Sequence, residues 1–183
     1  MIRSPMETGA GSRGTSGSQP CEHGFVQKVM VRTMTPAEFD HWMATIAEEY
    51  AAEQVAAGRW SAEGAVERAY EENTQLLPQG LETPRMLLLQ GIDADDEPVG
   101  HAWVSLDHPR GAPDIAFLYD IEVIESRRGS GFGRALLEAV EDATRQAGGA
   151  ALELNVFGRN HTAIALYSSA GYDLITQQMR KTL

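Results

Sequence analysis

The sequence predicts an α/β domain: a mixed, mostly antiparallel sheet with helices on both faces. Three observations carry that expectation. Two apolar runs, 86–90 and 99–106, flank a short acidic turn, the pattern of a hairpin. A third run, 117–124, ends in a glycine-rich turn, passes into a helical pattern over 131–146, and returns to a strand-like run at 151–156. That order is the signature of a crossover between strands of one sheet. Helical spacing also appears at 36–46, from 61 towards 77 and at 160–169, enough to cover both faces.

Taken in order, residues 1–24 are dominated by Gly, Ser, Thr and Pro and predict a disordered N-terminal tail, with Met6 offering another start. A single domain is expected over 25–183. Val26, Val29 and Val31 supply β-branched residues to a first strand over 25–33. Thr35-Pro36-Ala37-Glu38 opens a helix as N-cap, first-turn proline and capping-box partner. Phe39, Trp42, Met43 and Ile46 continue at helical spacing to a break at Gly58, and Ser61 opens a second helix. Residues 78–84 form a loop. The turn carrying Asp93, Asp95, Asp96 and Glu97 lacks the glycine and terminal Glu of a calcium loop, so a solvated hairpin turn is expected. Residues 107–114 form a second loop, and a final strand is expected over 172–182. Trp42 and Trp103 are assigned to the core.

Composition narrows the function classes. The chain is 43% hydrophobic and 22% charged, an ordinary globular balance for one domain of 183 residues. A net charge of −11 argues against nucleic acid and mildly favours a cationic ligand. No apolar run is long enough for a membrane span. Cys21 stands alone, which excludes an internal disulfide framework and a cysteine-based metal site, and no metal is expected. Without an apolar export signal, these features point to the cytoplasm.

The chemistry begins at an arginine followed by spaced glycines: Arg128-x-x-Gly131-x-Gly133 follows a strand and opens a helix. Glycines there turn the chain with positive φ and aim successive N–H groups at one point, to which the helix adds its unpaired N–H groups and dipole. A phosphate or pyrophosphate belongs in such a place. A P-loop would need Gly-Lys-Ser/Thr, whereas Gly133 is followed by Arg134 and Ala135. A dinucleotide fingerprint would need its third glycine one position later and a place near the first strand.

Downstream, Asn160-x-x-Ala163-x-x-Leu166-Tyr167 is followed by Gly171-Tyr172. With the glycine loop, this stretch from Phe117 onward resembles the GCN5-related N-acetyltransferase (GNAT) superfamily. The resemblance implies a GNAT-type sheet and acetyl-CoA as co-substrate. It places the pyrophosphate on Arg128, Gly129, Ser130, Gly131, Phe132 and Gly133, with Arg134 or Arg127 adding charge. Ile121 and Val123 would present backbone groups to the pantetheine arm, and Asn160 would cap its helix and reach the cofactor. Tyr167 would be the general acid for the leaving thiolate, its ordinary pKa of about 10 suiting that role.

A base is needed as well, because an ammonium cannot attack. Asp120 and Glu122 are unexpected in a buried strand, and period-two alternation places both opposite Tyr119, Ile121 and Val123. Glu122 is the expected base, with Asp120 and Glu153 as alternatives. Glu48, Glu49, Tyr50, Glu53 and Trp60 are candidates to hold a cationic amine, set against a solvated acidic helix face with Tyr50 in the core. His161 is expected to be an exposed first-turn residue. The expected partner is a small-molecule amine acceptor, with no nucleic acid and no membrane, and a homodimer is allowed. The competing readings are a non-catalytic acyl-CoA-binding module, a protein N-terminal or lysine acetyltransferase, and a nucleotide-phosphate binder.

Overall fold

The computed structural model describes residues 27–181 and 183; the tail expected over 1–24 lies outside them. Five strands stand side by side in chain order: β1 (Met30–Thr33), β2 (Met86–Ile92), β3 (Pro98–Ser105), β4 (Ile115–Val123) and β5 (Ala151–Leu154). Pairing is antiparallel from β1 to β4 and parallel between β4 and β5. The parallel pair needs a crossover, which α3 (Phe132–Gln146) supplies. The other helices are α1 (Pro36–Ala56), α2 (Ala65–Leu76) and α4 (His161–Ser169).

Local signals set the helix ends. Thr35 Oγ accepts from the Glu38 N–H at 3.3 Å, and the Glu38 carboxylate accepts from the Thr35 N–H at 2.7 Å. The Arg32 guanidinium closes onto the same carboxylate at 2.7 Å. That hydrogen bond, opposed by burial and helped by Thr35, pulls the Glu38 pKa to about 2. The cap's contribution is therefore complete above the ordinary carboxylate range and is lost only as pH falls through about 2. α1 ends just before Gly58, which turns with φ +64°. α2 begins at Ala65 rather than Ser61, after a left-handed Gly64.

The two helical layers pack differently. Ala47 and Ala51 on α1 meet Ala65 and Ala69 on α2, four small side chains that let the helices approach closely. Below them Trp42 and Met43 pack with Leu77, Leu88 and Trp103. On the other face of the sheet, Leu136, Leu137 and Val140 of α3 cover Ala102, Val104 and Leu118, with Ala163 and Tyr167 of α4 alongside. Gly91 and Gly100 face each other across β2 and β3 beneath Leu136. A Cβ on Gly100 would lie 2.1 Å from the Glu122 carbonyl oxygen and 3.0 Å from Leu136. Backbone cannot give way as a flexible side chain can. Gly100→Ala is expected to cost at least about 1–3 kcal/mol, the usual range for overpacking, as a lowered midpoint in thermal or denaturant unfolding.

A bulge in β4 positions the site. Trp103 pairs with Asp120 and Val104 with Leu118, so Tyr119 is an extra residue. Tyr119 stacks on Trp103 with ring centroids 4.5 Å apart. Simple alternation therefore fails here: Tyr119 joins Asp120 and Glu122 on the α1 face, while Ile121 and Val123 pack towards α3. The final strand expected over 172–182 is not formed. Gly171 turns with φ +93°, and Tyr172 to Lys181 run without regular structure. Leu174, Ile175 and Met179 do not share one face of an alternating strand and are largely exposed.

Candidate active site

The glycine loop forms as the sequence predicts. Gly129 and Gly131 adopt φ +76° and +87°, and Gly131 is the N-cap of α3. The backbone N–H groups of 129–134 make no short, well-aligned hydrogen bond among the described residues, although 128–131 form a turn. Backbone donors without close partners thus lie at the positive end of a helix, an arrangement suited to a phosphate. A Cβ on Gly129 would meet nothing within 4 Å, and one on Gly131 only Gln27 at 3.6 Å, so the approach is open. The Phe132 side chain is buried in the core, leaving its N–H as the part able to serve a ligand.

The arginines around the loop all have partners within the protein. Arg128 turns back to the sheet, ion-pairing with Glu122 and donating from Nε to the Val123 carbonyl at 2.8 Å. Arg134 donates to the Ser169 side chain. Arg127 lies over the Phe132 ring and pairs with Asp93 at 3.0 Å. Asp93 in turn accepts from the N–H groups of Asp95 and Glu97, both at 3.0 Å. The acidic hairpin turn is therefore a brace for the glycine loop as well as a solvated turn.

Beside the loop the sheet forks. β4 and β5 pair only from Ile115↔Ala151 to Leu118↔Leu154. Beyond Leu118, β4 runs on to Val123 paired with β3 alone. The Tyr119–Val123 backbone thus has no strand on the edge next to the glycine loop, where an extended arm can add, although the Val123 carbonyl there already accepts from Arg128 Nε. Ile121 and Val123 lie on this stretch.

α4 stands against that fork. Asn160 caps it, its side-chain oxygen accepting from the Ala163 N–H at 2.9 Å. Tyr167 is buried, with its ring 5.4 Å from that of Tyr172. Its hydroxyl has no hydrogen-bond partner among the described residues. Burial, then the neighbouring Tyr172 and Asp120, raise its pKa well above 10. The phenol therefore keeps its proton at neutral pH and offers an unspent O–H donor. Tyr167 also lines a groove of about 1150 Å³ between β5 and the C-terminal segment.

On the α1 side, Asp120 is buried between two partners. Trp42 Nε1 donates to Asp120 Oδ2 at 3.2 Å, and His101 Nε2 lies 3.0 Å from the same oxygen. Glu122 Oε2 is 3.9 Å from His101 Nε2, its other oxygen being held by Arg128. Glu153 of β5, the third carboxylate considered as a base, faces His108 at 3.5 Å and Arg110 at 3.6 Å and so ties β5 to the 107–114 loop. Of the residues suggested for an amine, Trp60 already holds Arg68 over its ring at 4.2 Å and packs against Tyr50. Glu49 acts electrostatically on His101. His161 is exposed, as expected. His101 itself is absent from the sequence-derived candidates. Its signal is a lone titratable side chain in the otherwise apolar stretch 99–104.

The fork, the glycine loop and the capped helix behind them define an acetyltransferase architecture, and the model of the Acetyltransferase (GNAT) family matches residues 43–172. The chain belongs to that family and is an acyltransferase. It is 34% identical to the uncharacterized N-acetyltransferase YycN of Bacillus subtilis, over 85% of this chain and 99% of that protein. The crystal structure of YycN superposes with a TM-score of 0.79. A second Bacillus subtilis relative, the uncharacterized N-acetyltransferase YdgE, is 28% identical over 82% of this chain and 95% of its own. The PaiA N-acetyltransferase of Thermoplasma acidophilum, solved with coenzyme A, shares the fold at a TM-score of 0.58 and 16% identity, over 82% of this chain and 93% of its own.

Proposed function

We propose that the protein moves the acetyl group of acetyl-CoA to a primary amine of a small molecule by direct attack, with Tyr167 donating to the departing thiolate. The observation that carries this reading is the row of backbone donors without close partners at 129–134, set beside the strand-free edge of Tyr119–Val123. The donors suit the pyrophosphate, and the strand edge suits the amide-bearing arm. The thioester supplies an activated acyl group, and the chain's own residues orient it and manage protons. Tyr167 supplies an O–H that nothing else among the described residues uses. Asp120, Glu122 and Glu49 make the acceptor side anionic, which suits an amine arriving as ammonium. The lone cysteine fits a reducing, cytoplasmic setting for this activity.

The test is thiol release from acetyl-CoA with a panel holding small amines, amino acids, polyamines and short peptides. Turnover with small amines, and none with peptides, is the expected result. Turnover confined to peptides would move the acceptor to the protein class. Saturable acetyl-CoA binding without turnover of any amine would leave only an acyl-CoA-binding module.

A further inference from the structure

We propose that His101 accepts the amine's proton and that Asp120 is the residue that positions it, an inference that rests on acetyl transfer to an amine. Two titratable side chains deep in adjacent central strands need a reason. Here they form a directed chain. Trp42 Nε1 donates to Asp120 Oδ2, and His101 Nε2 lies 3.0 Å from the same oxygen. An ionised carboxylate oxygen can only accept, so the neutral imidazole facing it carries its proton on Nε2. The lone pair is then on Nδ1, to which no described residue bonds. The His101 side chain retains 19% exposure against 9% for Asp120, so the histidine is the member of the pair open to a substrate.

Glu122 is poorly placed for the same task. One of its oxygens is held by Arg128, which also grips the Val123 carbonyl at the end of β4. Glu122 instead sits across the ladder from His101 and lends it negative charge. The charged groups facing His101 are Asp120 and Glu122 from β4 and Glu49 from α1; Arg128 reaches this cluster through Glu122. From β2 the cross-strand neighbour is the neutral Gln90, whose amide is spent on the Gly91 and Gly100 carbonyls. Burial pulls the His101 pKa down, but the Asp120 hydrogen bond and the three carboxylates outweigh it, and the net direction is up from 6.5. The imidazole therefore becomes a base only as pH rises past that raised value.

The step balances. The substrate ammonium first gives one proton to His101 Nδ1, and the lone pair so freed attacks the thioester carbonyl carbon to form the C–N bond. The C–S bond breaks, its electron pair leaves on sulfur, and the Tyr167 hydroxyl supplies the thiol proton. His101 then releases its proton to solvent, and the nitrogen's second proton leaves through solvent as Tyr167 regains one.

The test compares the pH dependence of kcat/KM for one amine in wild type, His101→Gln and Asp120→Asn, with acetyl-CoA affinity measured by calorimetry. His101→Gln is expected to lower kcat by roughly 10²–10⁴ while leaving acetyl-CoA affinity unchanged. Asp120→Asn removes the charge that holds the imidazole's proton, so the ascending limb should move to lower pH. NMR titration of the His101 imidazole should move the same way, a readout independent of turnover. Full kcat in His101→Gln, or an unmoved limb and an unmoved imidazole titration in Asp120→Asn, would overturn the proposal while leaving acetyl transfer intact. Should His101→Gln fail to fold, the Asp120→Asn shift decides alone. A wild type that binds acetyl-CoA yet acetylates no amine would overturn the function reading, and this inference with it.

Discussion

Gly131→Glu abolishes acetyl-CoA binding: calorimetry that detects saturable binding in the wild type should detect none in the variant. Three effects act together. Gly131 sits at φ +87°, where a non-glycine residue costs roughly 1–2 kcal/mol. The new side chain emerges beside the donors of 129–134, and its carboxylate repels the phosphate those donors would receive. The new Cβ itself meets only Gln27, at ordinary contact distance, so the fold should survive with a modest loss of stability. Gly131→Ala separates the contributions: it carries the same backbone strain without the charge and should weaken binding far less. Equal affinity in wild type and Gly131→Glu would mean that the anion binds elsewhere.

The second large effect is expected at Tyr167. Tyr167→Phe removes a hydroxyl that has no partner among the described residues and keeps the ring packed in the α3–α4 core. Folding stability should therefore change little or even rise, because a buried unsatisfied donor is removed. Acetyl-CoA affinity should hold, since the phosphate donors lie on the glycine loop. With a saturating amine, kcat should fall by roughly 10²–10⁴, the usual range for acid–base assistance. A loss below about tenfold would assign the thiol proton to water or to another side chain. A large fall in melting temperature would make Tyr167 a core aromatic instead. The raised pKa adds a further expectation: no descending limb in the pH–rate profile near 10 should come from this phenol.

What the sequence made legible was local. The Thr35–Glu38 capping box, the hairpin around 93–97 and the glycine turn before α3 each depend on residues a few positions apart, and each forms. Around the candidate site, the features that formed as expected are likewise local: the glycine turn at 129–133 and the Asn160 cap. It was not legible where partners come from distant strands. The Tyr119 bulge exists only through the β3–β4 register, so alternation along β4 alone misplaced that side chain. The same register sets His101 opposite Glu122, and an α1 residue 78 positions before Asp120 supplies its other donor. Arg128, read as a phosphate ligand from its motif position, is claimed by Glu122 and the Val123 carbonyl. A linear pattern cannot weigh such a competitor.

The central claim is that acetyl leaves sulfur only to arrive on nitrogen. It is tested most directly by incubating the wild-type protein with isotopically labelled acetyl-CoA and the best amine of the panel. Free thiol and labelled N-acetyl product are then quantified together by mass spectrometry. The account predicts equal amounts of the two, with both lost in Gly131→Glu. Thiol released without labelled amide would mean hydrolysis, and labelled amide unaffected by Gly131→Glu would mean transfer without the glycine loop; either result would contradict it.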